Sequence, residues 1–287
     1  MRLLQLTLAK LYGGGWPAVI ARRLGLQPDP SLRTHTLQLP GRGASAPPLR
    51  VGFASDFHSG PTTHPDVVDS ACSALAEASP DVLLLAGDFI ELHARHVDRL
   101  IPKLAAIPAP LGRFAVLGNH DLMGDDSYVA ERLQAAGIQL LTNRATRLPA
   151  PHDDIWLCGL DDPTRGDARA DCALDHVTGT RVVLMHSPDG LLNIGERPFD
   201  LALCGHTHAG QIVLPTGHAL FMPEGNLNRQ FPRGLFRLGP DGRRTMLVSG
   251  GVGCSTIPMR LFARPEVHVC TLVADGVHDA QLEARSA

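Results

Sequence analysis

The chain of 287 residues is long enough for one large domain, or for a domain with a small appendage, and it can bury a substantial core. Apolar residues make up 44% of it and charged residues 19%, a balance that excludes a disordered or low-complexity protein. The formal net charge of -3 gives no overall basic field, so we expect no sequence-specific binding to nucleic acid.

The first 30 residues carry leucines at helical spacing, interrupted by polar and basic side chains, and we expect them to form a helical appendage. No apolar run is long enough to span a bilayer, and no cleavable signal peptide is predicted. Two interpretations stay open: the helices pack on the domain, or they lie on a membrane together with the basic residues Arg2, Lys10, Arg22 and Arg23. We expect a cytoplasmic protein, with residues 1–30 as the candidate for peripheral contact with the inner membrane.

An alternating strand at Thr36 to Leu39 and a polar loop at Gly41 to Pro48 precede the main body of the chain, which begins near Leu49. From there apolar, strand-like runs alternate with helical segments at Val67 to Ala78 and Tyr128 to Ala136, a pattern typical of α/β folds with parallel strands. Strands dominate the second half. The simplest architecture is an α/β sandwich of two mixed sheets with flanking helices.

Polar side chains that can bind metals follow five of the apolar runs, at the point where each predicted strand ends. In an open α/β sheet these carboxyl ends share one edge, so we expect the side chains to converge on one crevice. Asp, His and Asn together suit a pair of divalent ions such as Mn, Fe or Zn, whereas the absence of Cys argues against a thiolate zinc site. The candidates are Asp56, His58, Asp88, Asn119, His120, Asp121, His186, His206 and His208.

A pair of metals needs a shared ligand, and a carboxylate can offer one oxygen to each ion, which a histidine cannot do. Asp56 and Asp88 are therefore the candidates for the bridging ligand. Two cations about 3.5–4 Å apart would acidify a water between them and polarise a phosphoryl group. The pattern predicts a hydrolase that attacks phosphorus with a hydroxide held between the metals.

The ordered series of motifs resembles the calcineurin-like metallophosphoesterases, from about Leu49 to Ile212. Its blocks are Asp56-x-His58, Gly87-Asp88, Gly118-Asn119-His120-Asp121, His186 and Gly205-His206-Thr207-His208. The resemblance implies that Asp88 bridges two metals and that His120 is the general acid, oriented by Asp121. It also implies a first metal held by Asp56, His58, Asp88 and His208, and a second held by Asp88, Asn119, His186 and His206.

Within that superfamily, the segments SDFHSG, CGHTHAGQIVLP and SGGVGCSTIPMRLFARPEV are similar to a bacterial phosphodiesterase branch. This branch includes membrane-linked members and UDP-diacylglucosamine pyrophosphatases, which implies a phosphodiester or pyrophosphate substrate, either a small molecule or lipid-linked. The alternatives are a phosphomonoesterase or protein phosphatase with the same metals, and a non-catalytic scaffold that keeps the fold. The domain assignment is a helical appendage at 1–30, a metallophosphoesterase catalytic domain at 31–275 and a polar tail at 276–287.

Three further features are interpreted as structural. The six cysteines are scattered, with no Cys-x-x-Cys pair, and are expected to be small buried residues in a reducing compartment. The run from Ser249 to Gly253 is not followed by an amphipathic helix and is expected to be a tight loop near the active-site edge. Four arginines near the C-terminus could each bind a second phosphate but are interpreted as solvated surface residues. They are Arg229, Arg233, Arg260 and Arg264.

Overall fold

The structure, a computed structural model, describes residues 7, 8 and 10–275, and it confirms the predicted α/β sandwich of two mixed sheets. The strands are β1 (Ser31–Leu39), β2 (Leu49–Ala54), β3 (Val82–Ala86), β4 (Arg113–Val116), β5 (Ile138–Leu140), β6 (Arg144–Arg147), β7 (Ile155–Gly159), β8 (Thr180–Leu184), β9 (Leu201–Cys204), β10 (Gly234–Leu238), β11 (Arg244–Val248) and β12 (Glu266–Ala274). The helices are α1 (Trp16–Arg23), α2 (Pro65–Ala78), α3 (Val97–Ala105), α4 (Asn119–Met123), α5 (Asp126–Ala135), α6 (Ala170–Leu174) and α7 (Gly190–Ile194). Short 3₁₀ turns lie at Gly13–Gly15, Ala94–His96 and His208–Gly210.

Each sheet has six strands, and its central strands are parallel. The first sheet has the order β1-β12-β2-β3-β4-β5, with β2 to β5 parallel to one another and β12 antiparallel to β2. The second has the order β10-β11-β9-β8-β7-β6, with β7, β8, β9 and β11 parallel. Because parallel strands end at the same edge, the loops that follow β2, β3, β4, β8 and β9 lie along one rim of the sandwich.

The core has a layer between the sheets and a layer on each outer face. Alternate side chains of β2 and β3, such as Phe53 and Leu84, face the second sheet and pack against its Leu203. The intervening residues Leu83 and Leu85 face the helices on the other side. β3 is therefore buried on both faces, which explains its uninterrupted apolar sequence. Burial of each Leu or Phe side chain stabilises the fold by about 1.5–3 kcal/mol. The strands, and therefore their ends, are held in fixed positions.

Helix capping explains where the predicted boundaries differ from those observed. α2 begins at Pro65, two residues before the predicted start, because the side chain of His64 accepts a hydrogen bond from the amide of Asp66. α5 begins at Asp126 because the Asp125 carboxylate accepts from the third residue of the helix. The strand predicted at Thr36 to Leu39 extends back to Ser31 in β1, since all nine residues pair with β12.

The N-terminal part contributes a short helix that is only partly covered. α1 buries Ala18 and Ala21 and leaves Trp16 and Ile20 exposed. Within the described ranges, no helix combines the length and the apolar composition needed to cross a bilayer. The predicted tail at 276–287 lies outside the described residues. Five cysteines are buried as predicted, whereas Cys172 is exposed.

Candidate active site

The backbone turns sharply at several of the predicted metal ligands. A positive φ is uncommon for residues other than glycine and costs about 1–3 kcal/mol, so it persists only where the surrounding structure enforces it. These turns follow directly on the ends of β2, β3 and β9. The residues are Asp56 (φ 55°), His58 (43°), Asp88 (53°), His206 (70°) and His208 (51°).

Glycines beside the ligands allow the loops to approach closely. A Cβ on Gly118 would overlap the carboxylate of Asp88 and lie 2.7 Å from Cε1 of His186. A Cβ on Gly205 would overlap the carboxylate of Asp56. The glycines of the Gly-Asn-His-Asp and Gly-His-Thr-His motifs are thus required by space rather than by turn conformation.

The run from Ser249 to Gly253 forms the predicted tight loop at the edge of the site. A Cβ on Gly251 would lie 2.7 Å from Cβ of Asp56, and the amide of Gly253 donates to the Asp56 carbonyl at 2.7 Å. The loop therefore fixes the backbone of the first predicted ligand.

Four of the predicted ligands form a first buried cluster, in which one donor atom from each lies within 4.8 Å of the others. Nε2 of His58 lies 3.0 Å from Nε2 of His208 and 3.4 Å from Oδ2 of Asp88. Nε2 of His208 lies 3.7 Å from Oδ1 of Asp56. The set is the one implied for the first metal.

A second cluster adjoins the first and shares one carboxylate with it. Donor atoms of Asp88, His186 and His206 lie within 4.8 Å of one another. Nε2 of His186 lies 3.4 Å from Oδ2 of Asp88, 3.1 Å from Nδ1 of His206 and 3.0 Å from Oδ1 of Asn119. Asp88 belongs to both clusters, which is the position required of a bridging ligand.

In the second cluster, each histidine ring uses its outer nitrogen to donate a hydrogen bond to a backbone carbonyl, and this pattern favours the binding of a cation by the inner nitrogens. Nδ1 of His186 donates to the carbonyl of Ala86 at 2.7 Å, and Nε2 of His206 donates to the carbonyl of Glu224 at 3.1 Å. The remaining nitrogens therefore face each other, which is favourable only with a proton or a metal ion between them. Burial lowers the pKa of His186, but the Asp88 carboxylate outweighs burial and raises it well above its usual value. With an amide and a carboxylate oxygen beside them, these donors fit a divalent metal ion.

Glu91 is a buried acid that sequence reasoning did not identify, although it lies three residues after Asp88. Its Oε2 lies 2.7 Å from Nδ1 of His58 and 3.1 Å from Nδ1 of His120. Burial raises the pKa of Glu91, but His120 and His58 more than offset burial and lower it to about 2. An ionised Glu91 thus connects one predicted ligand to the predicted general acid. Nε2 of His120 is on the opposite side of the ring, 3.3 Å from Oγ of Ser255.

Asp121, which was expected to orient His120, directs its carboxylate to backbone amides. Its carboxylate accepts from the amides of Gly118 and Phe89 at 2.9 Å, and from Ile90 at 3.3 Å. It therefore ties the loop after β4 to the loop after β3. Burial and the nearby Asp88 raise the pKa of Asp121 to about 7.

Arg260 is buried, contrary to its interpretation as a solvated residue. Its guanidinium donates to the carbonyls of Gly253 at 2.9 Å and His208 at 3.2 Å, and Nη2 lies 3.2 Å from Nδ1 of His208. Arg260 therefore supports a predicted ligand and the loop beside it. Arg229 and Arg264 are exposed as predicted.

Two cavities adjoin the histidines and share Asn119, His120 and His206 among their lining residues. One, of about 400 Å³, is mostly apolar and is lined by Ile212, Phe221, Met222 and Ile257. The other, of about 350 Å³, includes Leu8, Arg165 and Glu224.

Comparison with known proteins agrees with this geometry. The calcineurin-like phosphoesterase family model matches residues 49–210, a range that contains every predicted site residue. The chain is 30% identical to "Phosphodiesterase YaeI" of Escherichia coli (strain K12), over 90% of this chain and 89% of that protein. It is 31% identical to "Uncharacterized metallophosphoesterase YkuE" of Bacillus subtilis (strain 168), over 68% of this chain and 69% of that protein. A "Transmembrane protein with metallophosphoesterase domain" of Danio rerio is 31% identical, over 76% of this chain and 52% of that protein.

The family match covers more than half of the chain, and its range includes both clusters of donor atoms. The protein is a phosphoric ester hydrolase with a metal-binding cluster of His and Asp. The chain belongs to the calcineurin-like phosphoesterase family.

Proposed function

We propose that this phosphoesterase uses two divalent metal ions, Mn, Fe or Zn, to hydrolyse a phosphodiester or pyrophosphate bond. The observation that carries the proposal is the position of Asp88, whose carboxylate belongs to both donor clusters. A pair of ions there would supply Lewis acidity to the phosphoryl group and lower the pKa of an attacking water.

The two cavities favour a substrate with a substituent on each side of the phosphorus. A monoester would fill only one of them, whereas a diester or pyrophosphate centred on Asn119 and His206 would extend into both. The apolar cavity beside Phe221 suits an aryl or lipid-linked group. The cavity beside Arg165 and Glu224 suits a polar group.

His120 is proposed as the general acid. Glu91 accepts a hydrogen bond from Nδ1 of this ring. Nε2 then faces Ser255 in the apolar cavity and can donate a proton to the departing oxygen. Asn119 directs its amide oxygen to His186, so its NH₂ group can donate to a phosphoryl oxygen.

The proposal is tested by hydrolysis of bis-nitrophenyl phosphate with and without a chelator. Chelation should abolish activity and Mn should restore it. Asp88→Asn should lower kcat about 10²–10³-fold and reduce bound metal, because Asp88 belongs to both clusters. Full activity of the metal-free protein would refute the proposal, and faster hydrolysis of nitrophenyl phosphate than of the diester would favour a phosphomonoesterase.

The predicted cytoplasmic location, with peripheral membrane contact through residues 1–30, belongs to the same proposal. The exposed apolar side chains Trp16, Ile20 and Leu24 support the membrane contact.

A further inference from the structure

A groove of about 560 Å³ lies between the N-terminal segment and α3, apart from the donor clusters. Gly14, Gly15 and Val19 line one side, and Arg95, Arg99 and Lys103 line the other. None of these residues has a role in the proposed reaction.

The α3 side of the groove is cationic. Arg99 and Lys103 are four residues apart on one face of α3, and Arg95, in the 3₁₀ turn that leads into the helix, lines the same groove. Arg95 and Arg99 are exposed, and neither forms an ion pair with a carboxylate in the described part of the chain. Lys103 pairs with Asp69 at the end of the row. Asp98, between Arg95 and Arg99 in the chain, accepts from Tyr128 at 2.8 Å and from Arg132 at 2.7 Å, and these donors together with the charge of Arg95 lower its pKa.

The neighbouring helix presents apolar side chains to the solvent. Trp16, Ile20 and Leu24 recur every four residues and are 52%, 47% and 68% exposed. The opposite face of α1, with Ala18 and Ala21, is the one that packs on the domain. An apolar row with a tryptophan at one end, beside a row of cations, is typical of a surface that binds at a membrane interface.

The two arginines of α1 differ in environment, because Arg23 is exposed whereas Arg22 is half-buried. Arg22 turns toward its own chain, where it donates to Asp29 and to the carbonyl of Gln27, both at 2.7 Å. The exposed cations that line the groove are Arg95, in the 3₁₀ turn before α3, and Arg99, in α3, both more than 70 positions along the chain from Arg22.

We propose that the groove binds the phosphate group of an anionic lipid while Trp16, Ile20 and Leu24 insert among the acyl chains. The inference refines the membrane contact of the proposed function and is independent of the hydrolytic chemistry. A bilayer fits better than a free phosphate because α1, which lines the groove opposite the cations, also carries an exposed apolar row that a free ion would leave in water.

The test uses the full chain carrying Trp156→Phe, which leaves Trp16 as the single tryptophan. Vesicles of equimolar phosphatidylcholine and phosphatidylglycerol should shift its emission to the blue and sediment the protein, whereas pure phosphatidylcholine should do so weakly. Arg95→Ala with Arg99→Ala should lower the partition coefficient about 25-fold, roughly fivefold for each cation. Arg144→Ala with Arg243→Ala removes the same charge from exposed positions in β6 and in the turn before β11, and it should leave the coefficient nearly unchanged.

Three outcomes would overturn the inference. One is the absence of vesicle binding by the parent protein, in which Arg95 and Arg99 are intact. Another is an equal loss in both arginine pairs, which would show a response to net charge alone. The third is a free-phosphate site: inorganic phosphate raises the Tm of the parent but not of the Arg95/Arg99 variant, and neither binds vesicles. Hydrolysis of bis-nitrophenyl phosphate by every variant reports on folding and on the proposed function separately.

Discussion

Glu91 orients two histidines that have different proposed roles, a metal ligand and a proton donor. Burial lowers the pKa of His120, but the Glu91 and Asp88 carboxylates outweigh it and raise that pKa above its usual value. Glu91→Gln should therefore lower kcat about 10–100-fold and move the alkaline limb of the pH profile to lower pH, because His120 would lose its proton earlier. The pH dependence of kcat measures this, and an unmoved limb with reduced activity would indicate a purely structural role.

His120 can be separated from the ligands by its dependence on the leaving group. A general acid contributes roughly 10²–10⁴-fold when the departing oxygen is a poor leaving group, and little when it is a nitrophenolate. His120→Ala should therefore retain both metals and lose far more activity on an alkyl diester than on bis-nitrophenyl phosphate. Metal analysis and the two rates are the measurements.

His206→Ala is the matched comparison for this experiment. It should lower metal content and depress both rates together, since His206 belongs to the second donor cluster. Stoichiometric loss of metal from the His120 variant, or equal losses on the two substrates, would show that His120 is a ligand or a phosphate-positioning residue.

Among the elements, β12 is anchored at its first residue, Glu266. Its carboxylate accepts from the amide of Gly250 at 2.8 Å, pairs with Arg233 and lies 3.6 Å from Arg33. Burial raises the pKa of Glu266, but His268, Gly250 and Arg233 more than offset it and lower the pKa to about 2. The ion therefore ties the loop after β11 to the central antiparallel strand of the first sheet.

Because the pKa of Glu266 is lower in the folded state, its contribution is present above the ordinary glutamate pKa and is lost as the pH falls toward about 2. Glu266→Gln should lower the free energy of unfolding by roughly 2–3 kcal/mol at pH 7, and the deficit should shrink as the pH falls from about 4.5 toward about 2. Urea unfolding across this range measures the deficit. Glu196→Gln, at an exposed position, is the control, and a deficit independent of pH would contradict the assignment.

At the scale of the whole molecule, the segment before β1 connects two loops at the rim of the site. The Gln27 amide donates to the carbonyls of Thr62 at 2.7 Å and Pro258 at 2.8 Å, and its oxygen accepts from the amide of His64 at 2.8 Å. The amide of Arg260 donates to the carbonyl of Leu26 at 2.8 Å. The N-terminal segment is therefore part of the support of the active site.

This arrangement predicts different results for two truncations. A chain starting at Gly25 keeps the side-chain hydrogen bonds of Gln27, so it should retain most of its stability and its hydrolysis of a small diester. A chain starting at Ser31 loses them, leaves buried carbonyls without donors and should be less stable by on the order of 3 kcal/mol. Urea unfolding of the two chains measures the difference. Equal stability would show that residues 25–30 do not support the rim.

The sequence by itself determined the strands, the sandwich and the convergence of nine polar residues on one rim. Apolar runs indicate which strands are buried, and parallel strands end at the same edge of their sheet. Motifs such as Asp56-x-His58 could therefore be placed at that edge without a structure. The order of the motifs also identified the family that the comparison shows.

The tertiary structure alone decided which side chains support the site. Glu91 rather than Asp121 accompanies His120, and Arg260 is buried beside His208, 52 residues away in the chain. Such partners depend on how the two sheets and their loops pack, and no local periodicity encodes a contact between distant segments. The same holds for the exposed row of α1: helical spacing fixes which residues share a face, but only packing decides which face meets the domain and which meets solvent.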